Sequence, residues 1–276
     1  EDEYARIKSY VEQFRDHPAL LAWYINDELP LDMVDRLSLH RQWIEELDPH
    51  HPAWVVLYQV DQVREYLPTY DVIGTDPYPI PHNPPSKAGE YARKMTEALC
   101  GSRALWQVPQ VFNWANYQKN EADKAAKRAP TFEEMRSMAA QSIAEGANGL
   151  VFYSWFDIRR DPATPFEEQW AKVKTIAREI KEMAPVLLSV EPPPNVMLEP
   201  APWLNVLVKH AAGTTWVVLV NNSLEAGAAK LLAPDGPAAI TDFAGGQPVT
   251  LAADGVTATV EMKPLDVRIF KMDWKP

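Results

Sequence analysis

The 276-residue chain has a single cysteine, Cys100, so no disulfide can form within it. No His/Asn pattern accompanies that cysteine. It is therefore expected to be a buried thiol that packs as a small apolar group rather than a nucleophile. No apolar run approaches the ~18 residues a membrane-spanning helix needs. Basic residues are outnumbered, 27 Lys and Arg against 38 Asp and Glu, for a formal net charge of -11. That balance argues against nucleic acid and anionic membrane surfaces as partners. Neither a methionine nor an apolar leader opens the sequence at Glu1. The compartment stays open: cytoplasmic, or secreted with the leader removed. His50, His51 and His82 lack ligand-like spacing to one another, so they are expected in solvated loops. No metal and no cofactor is expected.

What is plentiful is aromatic and proline. Trp and Tyr number 10 each, which suits stacking on apolar sugar faces and equally suits a large core. Proline, at 25, falls mostly in loops and at segment boundaries. Proline in loops lowers unfolded-state entropy, which predicts a thermostable protein.

Helical and strand patterns alternate from residue 3 to 184. Tyr4, Ile7, Val11 and Phe14 recur at helical spacing over 3–15. Leu20 to Pro30 then runs apolar and aromatic before ending in Asp27 and Glu28. It reads as a strand buried on both faces, of the parallel-sheet kind. A helix follows over 32–47, then a strand from Ala53 to Gln59 and a short helix over 61–67. The third strand is Tyr70 to Asp76. Ser86 and Gly101 bracket another helix. The fourth strand is Ala104 to Phe112. Thr131 and Glu134 make a capping box for the next helix. Gly149 to Asp157 reads as a fifth strand, and Thr164-Pro165 opens a last helix. Strict alternation means βα units around a parallel sheet, with all strand ends on one side.

Past the stiff Glu191-Pro192-Pro193-Pro194 stretch the helical period disappears. Strands are expected at 204–210, 215–220, 228–232, 248–252, 258–262 and 267–272, alternating as in a small antiparallel sandwich. The expected domains are an α/β domain over 1–190, a linker over 191–195 and a β-sandwich over 196–276.

In parallel α/β folds chemistry sits at the carboxyl ends of strands. Those ends offer Asp27 and Glu28, Gln59, Asp76 with Tyr78 and His82, Gln110 with Asn113 and Trp114, and Asp157 after Trp155. Several carboxylates with amides and aromatics on one rim suit glycoside hydrolysis, which needs two carboxyl groups flanking one bond. One of them must hold a proton near neutral pH, raised by burial or a like charge. Catalytic candidates are Glu28, Asp27, Asp76 and Asp157. Substrate-binding candidates are Gln59, Tyr78, His82, Gln110, Asn113, Trp114 and Trp155.

His17-Pro18-Ala19-Leu20-Leu21-Ala22-Trp23-Tyr24-Ile25-Asn26-Asp27-Glu28 resembles the fourth strand of TIM-barrel glycoside hydrolases of the clan A type. Ile73 to Pro79 is similar to a sixth strand of such barrels, and Gly149 to Asp157 to an eighth. The resemblance spans roughly 15 to 185 and implies Glu28 as proton donor. The chain departs from it in two ways. Asp27 replaces the asparagine that precedes the acid, and Trp106 to Trp114 holds Gln107, Gln110 and Asn113 instead of a nucleophilic glutamate. The second carboxylate is then Asp76 or Asp157. An Asp-Glu pair also resembles substrate-assisted hexosaminidases, whose aspartate orients an attacking acetamido group.

If Leu20 to Asp27 is a fourth strand, the first three are absent, and five strands cannot close a barrel of ~250 residues. The expected fold is α/β: an incomplete TIM-type barrel lacking its first three strands, plus a small all-β sandwich. An open strand edge invites pairing, so a homo-oligomer covering it is expected. The expected activity is cleavage of small β-linked glycosides, β-galactosidase- or β-glucosidase-like, with a small carbohydrate as the partner. The alternative is a non-catalytic carbohydrate-binding or regulatory module derived from a glycosidase.

Overall fold

The computed structural model describes residues 2–161, 163–246 and 248–274. Its contacts gather into two compact units. One comprises Glu1–Pro77, Glu90–Val108 and Gly146–Val151; the other comprises Tyr78–Gly89, Pro109–Glu145 and Phe152–Pro276. Among the described residues no helix is long and apolar enough to cross a membrane.

The first unit contains α1 (Glu3–Phe14), β1 (Trp23–Asp27), α2 (Val34–Leu47), β2 (Ala53–Val56), β3 (Val72–Gly74), most of α3 (Lys87–Leu99), β4 (Ala104–Gln107) and β5 (Gly149–Leu150). Asp2 starts α1 by accepting from Tyr4 N. The expected helix over 61–67 is reduced to 3-10 turns at Val60–Gln62 and Leu67–Thr69. The strands pair in parallel in the order β1-β2-β3-β4-β5. One face of this sheet is covered. Val55, Leu57, Ile73 and Leu105 bury there against Met95 and Leu99 of α3 and against Tyr66 and Tyr70. Each such side chain contributes about 1.5–3 kcal/mol when fully buried. The opposite face carries a row of rings. Tyr24 packs on Trp54 at 4.7 Å between centroids, and Trp54 on Trp106 at 5.9 Å. Gly149 is required under that row, since a Cβ there would stand 2.8 Å from the Trp106 ring.

Two expectations are corrected in this unit. β1 is not buried on both faces: it ends the sheet order, so among the described residues no strand pairs with its outer edge, and Tyr24 is 50% exposed. Cys100 is exposed rather than buried, because it lies in the left-handed turn that closes α3, at φ +49°.

The second unit contains α4 (Glu121–Ala125), α5 (Phe132–Ala144), α6 (Trp155–Arg159), α7 (Phe166–Leu187) and β6 to β12. The capping box of Thr131 and Glu134 is present at the start of α5. Arg136 of α5 forks onto Glu179 of α7 at 2.6 and 2.8 Å. The strands are β6 (Met197–Leu198), β7 (Leu204–Ala211), β8 (Thr214–Asn221), β9 (Gly227–Leu232), β10 (Pro237–Asp242), β11 (Thr257–Met262) and β12 (Val267–Trp274). They form antiparallel sheets of order β10-β12-β8-β7 and β11-β9-β6. Between these sheets lie Val217, Leu219, Phe270 and Met272 on one side and Ala229, Leu231 and Val260 on the other. The far face of the larger sheet, with Val218, Val220, Val267 and Ile269, packs on Met183 and Leu187 of α7.

The expected strand over 248–252 appears only as isolated bridges, Thr241 to Pro248 and Leu251 to Ala258, while β10 was not expected. The expected fifth strand of the barrel is also corrected. It stops at Leu150, keeps one bridge between Gln110 and Tyr153, and turns into α6 at Trp155. Ser154 caps that helix by accepting from Asp157 N, which is why the strand cannot continue to Asp157.

Candidate active site

The site in the first unit is built by a β-bulge. Tyr24 lies opposite Trp54, but Asn26 lies opposite Val55 and Asp27 opposite Val56. One extra residue has been taken up in β1. On a regular strand, residues three apart point to opposite faces. The bulge reverses that parity, as bulges do beside functional sites. Tyr24 and Asp27 therefore share the face of Trp54 and Val56. Asn26 turns to the covered face and is buried at 3% exposure. Gly74 is in register with Val56, so Asp76, two residues on, emerges on the same face as Asp27.

Glu28 continues the ladder by donating its N–H to Val56 O at 2.9 Å. Its backbone then breaks from the strand at φ +56°. For a residue with a Cβ that left-handed conformation costs about 1–2 kcal/mol. Strain of this kind collects at functional sites. Asp27 and Glu28 are exposed, whereas Asp76 is mostly buried. Burial pushes the Asp76 carboxyl up to about 8, helped by the charge of Glu28, a hydrogen bond with the Glu28 carboxyl, and the charge of Asp27. Two carboxyl groups in hydrogen-bond contact can be at ease only with a proton between them. Burial assigns that proton to Asp76 near neutral pH. Among the described residues Asp76 Oδ1 is buried with no hydrogen-bond donor to it.

Gln59 reaches the same place, its Nε2 lying 3.5 Å from Glu28 O. Sequence reasoning missed Tyr24. Burial first, and then the neighbouring Asp27 with the charges of Asp76 and Glu28, push its phenol far above the ordinary range. Strict alternation would have sent Tyr24 away from Asp27, and no residue pattern announces the bulge.

The remaining candidates belong to the second unit. Asp157 is 1% exposed and lies in the first turn of α6, not at a strand end. Its Oδ2 accepts from Ser154 Oγ at 2.6 Å and Tyr117 OH at 3.0 Å, while Oδ1 takes Arg160 Nη2 at 2.6 Å. Gln110 is fully buried and bonded to Ile80 N, Ile80 O and Phe112 O. Asn113 is fully buried too, accepting from Ala115 N and donating to Asp161. These amides hold loops. Trp114 donates Nε1 to Tyr78 O and sits among Tyr78, Phe112 and Tyr117, and Tyr78 stacks on Tyr153 at 5.6 Å. His82 is exposed, 2.6 Å from Lys127 Nζ. Trp155 is 48% exposed with Arg159 over its ring. His51 does not lie free in solvent: its Nδ1 pairs with the buried Asp48, in the first unit, at 2.7 Å.

No family model matches the sequence, and no curated protein resembles it. Solved structures do resemble the fold. An alpha-amylase from Geobacillus thermoleovorans complexed with acarbose has a TM-score of 0.59 at 12% identity, over 99% of this chain and 63% of that one. A GH27 b-L-arabinopyranosidase from Geobacillus stearothermophilus reaches 0.61 at 12% identity, over 98% and 60%. A maltogenic alpha-amylase from Thermotoga neapolitana reaches 0.58 at 10% identity, over 99% and 65%. This chain thus spans under two thirds of the length of each. At such identities the likeness is one of fold. The chain has the architecture of TIM-barrel glycoside hydrolases with a C-terminal sandwich, five parallel strands of the barrel being present.

Proposed function

We propose that the chain is a glycoside hydrolase and that the carboxyl groups of Asp27, Glu28 and Asp76 do its chemistry. The observation that carries this is the hydrogen-bonded contact of Glu28 with Asp76, with Asp27 on the same face of the sheet. Glycoside cleavage requires an acid still protonated near neutral pH and a second, ionised carboxylate. The buried Asp76 keeps the proton available. The exposed Glu28 delivers it to the departing oxygen as the glycosidic C–O bond breaks. Asp27 faces the anomeric carbon as base or nucleophile, and water completes the hydrolysis. Glu28 thus acts as general acid through a proton shared with Asp76.

The fold neighbours include alpha-amylases and a b-L-arabinopyranosidase, so both anomers belong in the test. We keep small β-linked glycosides as the expected substrates. The assay is an aryl-glycoside panel of both anomers, with Glu28→Gln, Asp27→Asn and Asp76→Asn against the wild type. Unchanged hydrolysis in Glu28→Gln refutes the role of Glu28. One observation favours the second reading, a carbohydrate-binding module without turnover: Gln110 and Asn113 stand where the resemblance wants a glutamate, and both are spent on loop contacts. Saturable sugar binding with no hydrolysis of any panel member would decide for it.

A further inference from the structure

We propose that Tyr117 and Tyr153 form a notch that binds a hydroxyl group of a neutral pyranose sugar. Neither residue has a part in the chemistry proposed above, so the inference does not rest on turnover.

Both tyrosines belong to the second unit. Their rings stand at right-angled contacts around Phe112, which is 1% exposed: Tyr117 at 5.5 Å and Tyr153 at 5.7 Å between centroids. Tyr78 stacks on Tyr153 at 5.6 Å. This packing holds both rings in place, yet they stay 45% and 40% exposed.

The hydroxyls are set by Asp157, which is 1% exposed. Arg160 Nη2 donates to its Oδ1 and Ser154 Oγ to its Oδ2, both at 2.6 Å. Tyr117 OH donates to the same Oδ2 at 3.0 Å. A phenol has one proton to give. Once that proton points at Asp157, the Tyr117 oxygen can only accept from anything else. The Tyr153 hydroxyl lies 3.4 Å from it at the surface. That is long for an O–H···O bond, which closes to about 2.5–3.0 Å. The pair is therefore open: one oxygen that accepts, and one hydroxyl whose proton is poorly used. A ligand hydroxyl between them accepts from Tyr153 and donates to Tyr117. A carboxylate has no proton for Tyr117, and an ammonium has no lone pair for Tyr153. Arg160 does not make this an anion site, because its charge is already paired with Asp157. The half-exposed rings offer an apolar surface to the C–H face of a sugar beside the hydroxyl contact. A pyranose meets both requirements at once.

The test is calorimetric titration of the full chain with methyl α- and methyl β-D-glucopyranoside. Wild type, Tyr117→Phe and Tyr153→Phe are compared, each also with Glu28→Gln to remove any turnover that depends on Glu28. Each Tyr→Phe change keeps the ring and removes one hydroxyl. Each is expected to weaken binding about two- to tenfold, the worth of one neutral hydrogen bond. Among mono-deoxy methyl glucosides, one is expected to bind the wild type more weakly by a similar factor. That same sugar is expected to bind Tyr153→Phe as well as its parent does. Glycerol, with hydroxyls but no ring face to stack, is expected to bind about tenfold more weakly than the pyranosides. Unchanged affinity in either Tyr→Phe variant, or no binding of either pyranoside by the wild type, would overturn the inference. So would deoxy sugars whose losses are the same in Tyr153→Phe as in the wild type. Glycerol that binds as tightly as the pyranosides would overturn the choice of a pyranose. If a variant does not fold, the 13Cζ NMR signals of Tyr117 and Tyr153 in the wild type replace it. They are expected to shift as sugar is added, and unmoved signals overturn the notch. Hydrolysis on the aryl-glycoside panel bears on the carboxyl groups alone, so either reading can fail without the other.

Discussion

Replacing Glu28 by Gln should make the protein more stable, and only at high pH. Burial and the neighbouring carboxylates push the folded-state Asp76 carboxyl up to about 8, against about 3.9 for a free aspartate. The folded state therefore binds a proton that the unfolded state has released across that window. Stability from this group is fully present below about pH 4 and is lost as pH rises through about 8, by up to about 1.4 kcal/mol for each pH unit. Part of that loss is repulsion between the ionised Asp76 and Glu28. At a separation of about 4 Å the repulsion is worth about 1–4 kcal/mol, for effective dielectrics from bulk water down to about 20. Glu28 is exposed, which puts the figure at the lower end, about 1–2 kcal/mol. Burial, the largest cause of the shift, survives the substitution, so Asp76 should remain raised, though less so. The assay is urea unfolding of wild type and Glu28→Gln at pH 5 and pH 9. Similar midpoints at pH 5, and a higher one for the variant at pH 9, are expected. A constant offset at both pH values would show that Asp76 and Glu28 do not share a proton, and the acid assignment would fall with it.

Glu28→Gly should abolish hydrolysis while stabilising the fold by about 1 kcal/mol, since glycine accepts the left-handed backbone; denaturant melts alongside the panel check both. Asp157→Ala should act on stability, because Ser154 and Tyr117 each lose a buried acceptor, at about 1–3 kcal/mol in thermal or urea unfolding. Gly74→Ala should cost about 1–3 kcal/mol by overpacking: a Cβ there would stand 2.5 Å from the Trp106 carbonyl oxygen, which as backbone cannot step aside. Self-association over the open edge of β1 should appear as a dimer in sedimentation equilibrium; a monomer at all concentrations removes that expectation.

The parallel sheet and the sandwich were legible because their signals are local and repeated. Ile73 and Leu105 fall on the covered face by simple alternation, and Thr131 with Glu134 marks a helix start within four residues. Asp157 misled because Gly149 to Asp157 has a strand's composition throughout. What ends the strand is a single serine whose side chain caps α6. Gln110 and Asn113 misled for a related reason. A polar side chain past a strand offers the same letters whether it faces a ligand or a neighbouring loop, and here the loops claim both.

The carboxyl cluster was legible in composition and not in geometry, and the difference lies in the bulge. A bulge is a relation between two strands: β1 spends an extra residue against β2, and nothing within β1 records it. Read with strict alternation, Asp27 falls on the covered side with Val55, where an unpaired carboxylate would cost several kcal/mol. Read with the bulge, Asn26 takes that buried position, with its Oδ1 accepting from Leu29 N at 3.0 Å. Asp27 is then released to the open face. The order Asn-Asp-Glu thus fits the bulged strand: a neutral amide where the chain is buried, and two acids where it is not. The left-handed turn at Glu28 follows at once and carries the second acid past the end of the strand. A variant with Ile25 deleted restores regular pairing and still leaves Asn26 opposite Val55 and Asp27 opposite Val56, so Asp27 should stay on the open face. Its unfolding midpoint should keep the wild type's pH dependence. A midpoint that falls more steeply with pH above the ordinary aspartate range, as for a carboxyl that gives up stability when it ionises in a buried place, would mean that pairing with β2 does not decide which acid faces the site.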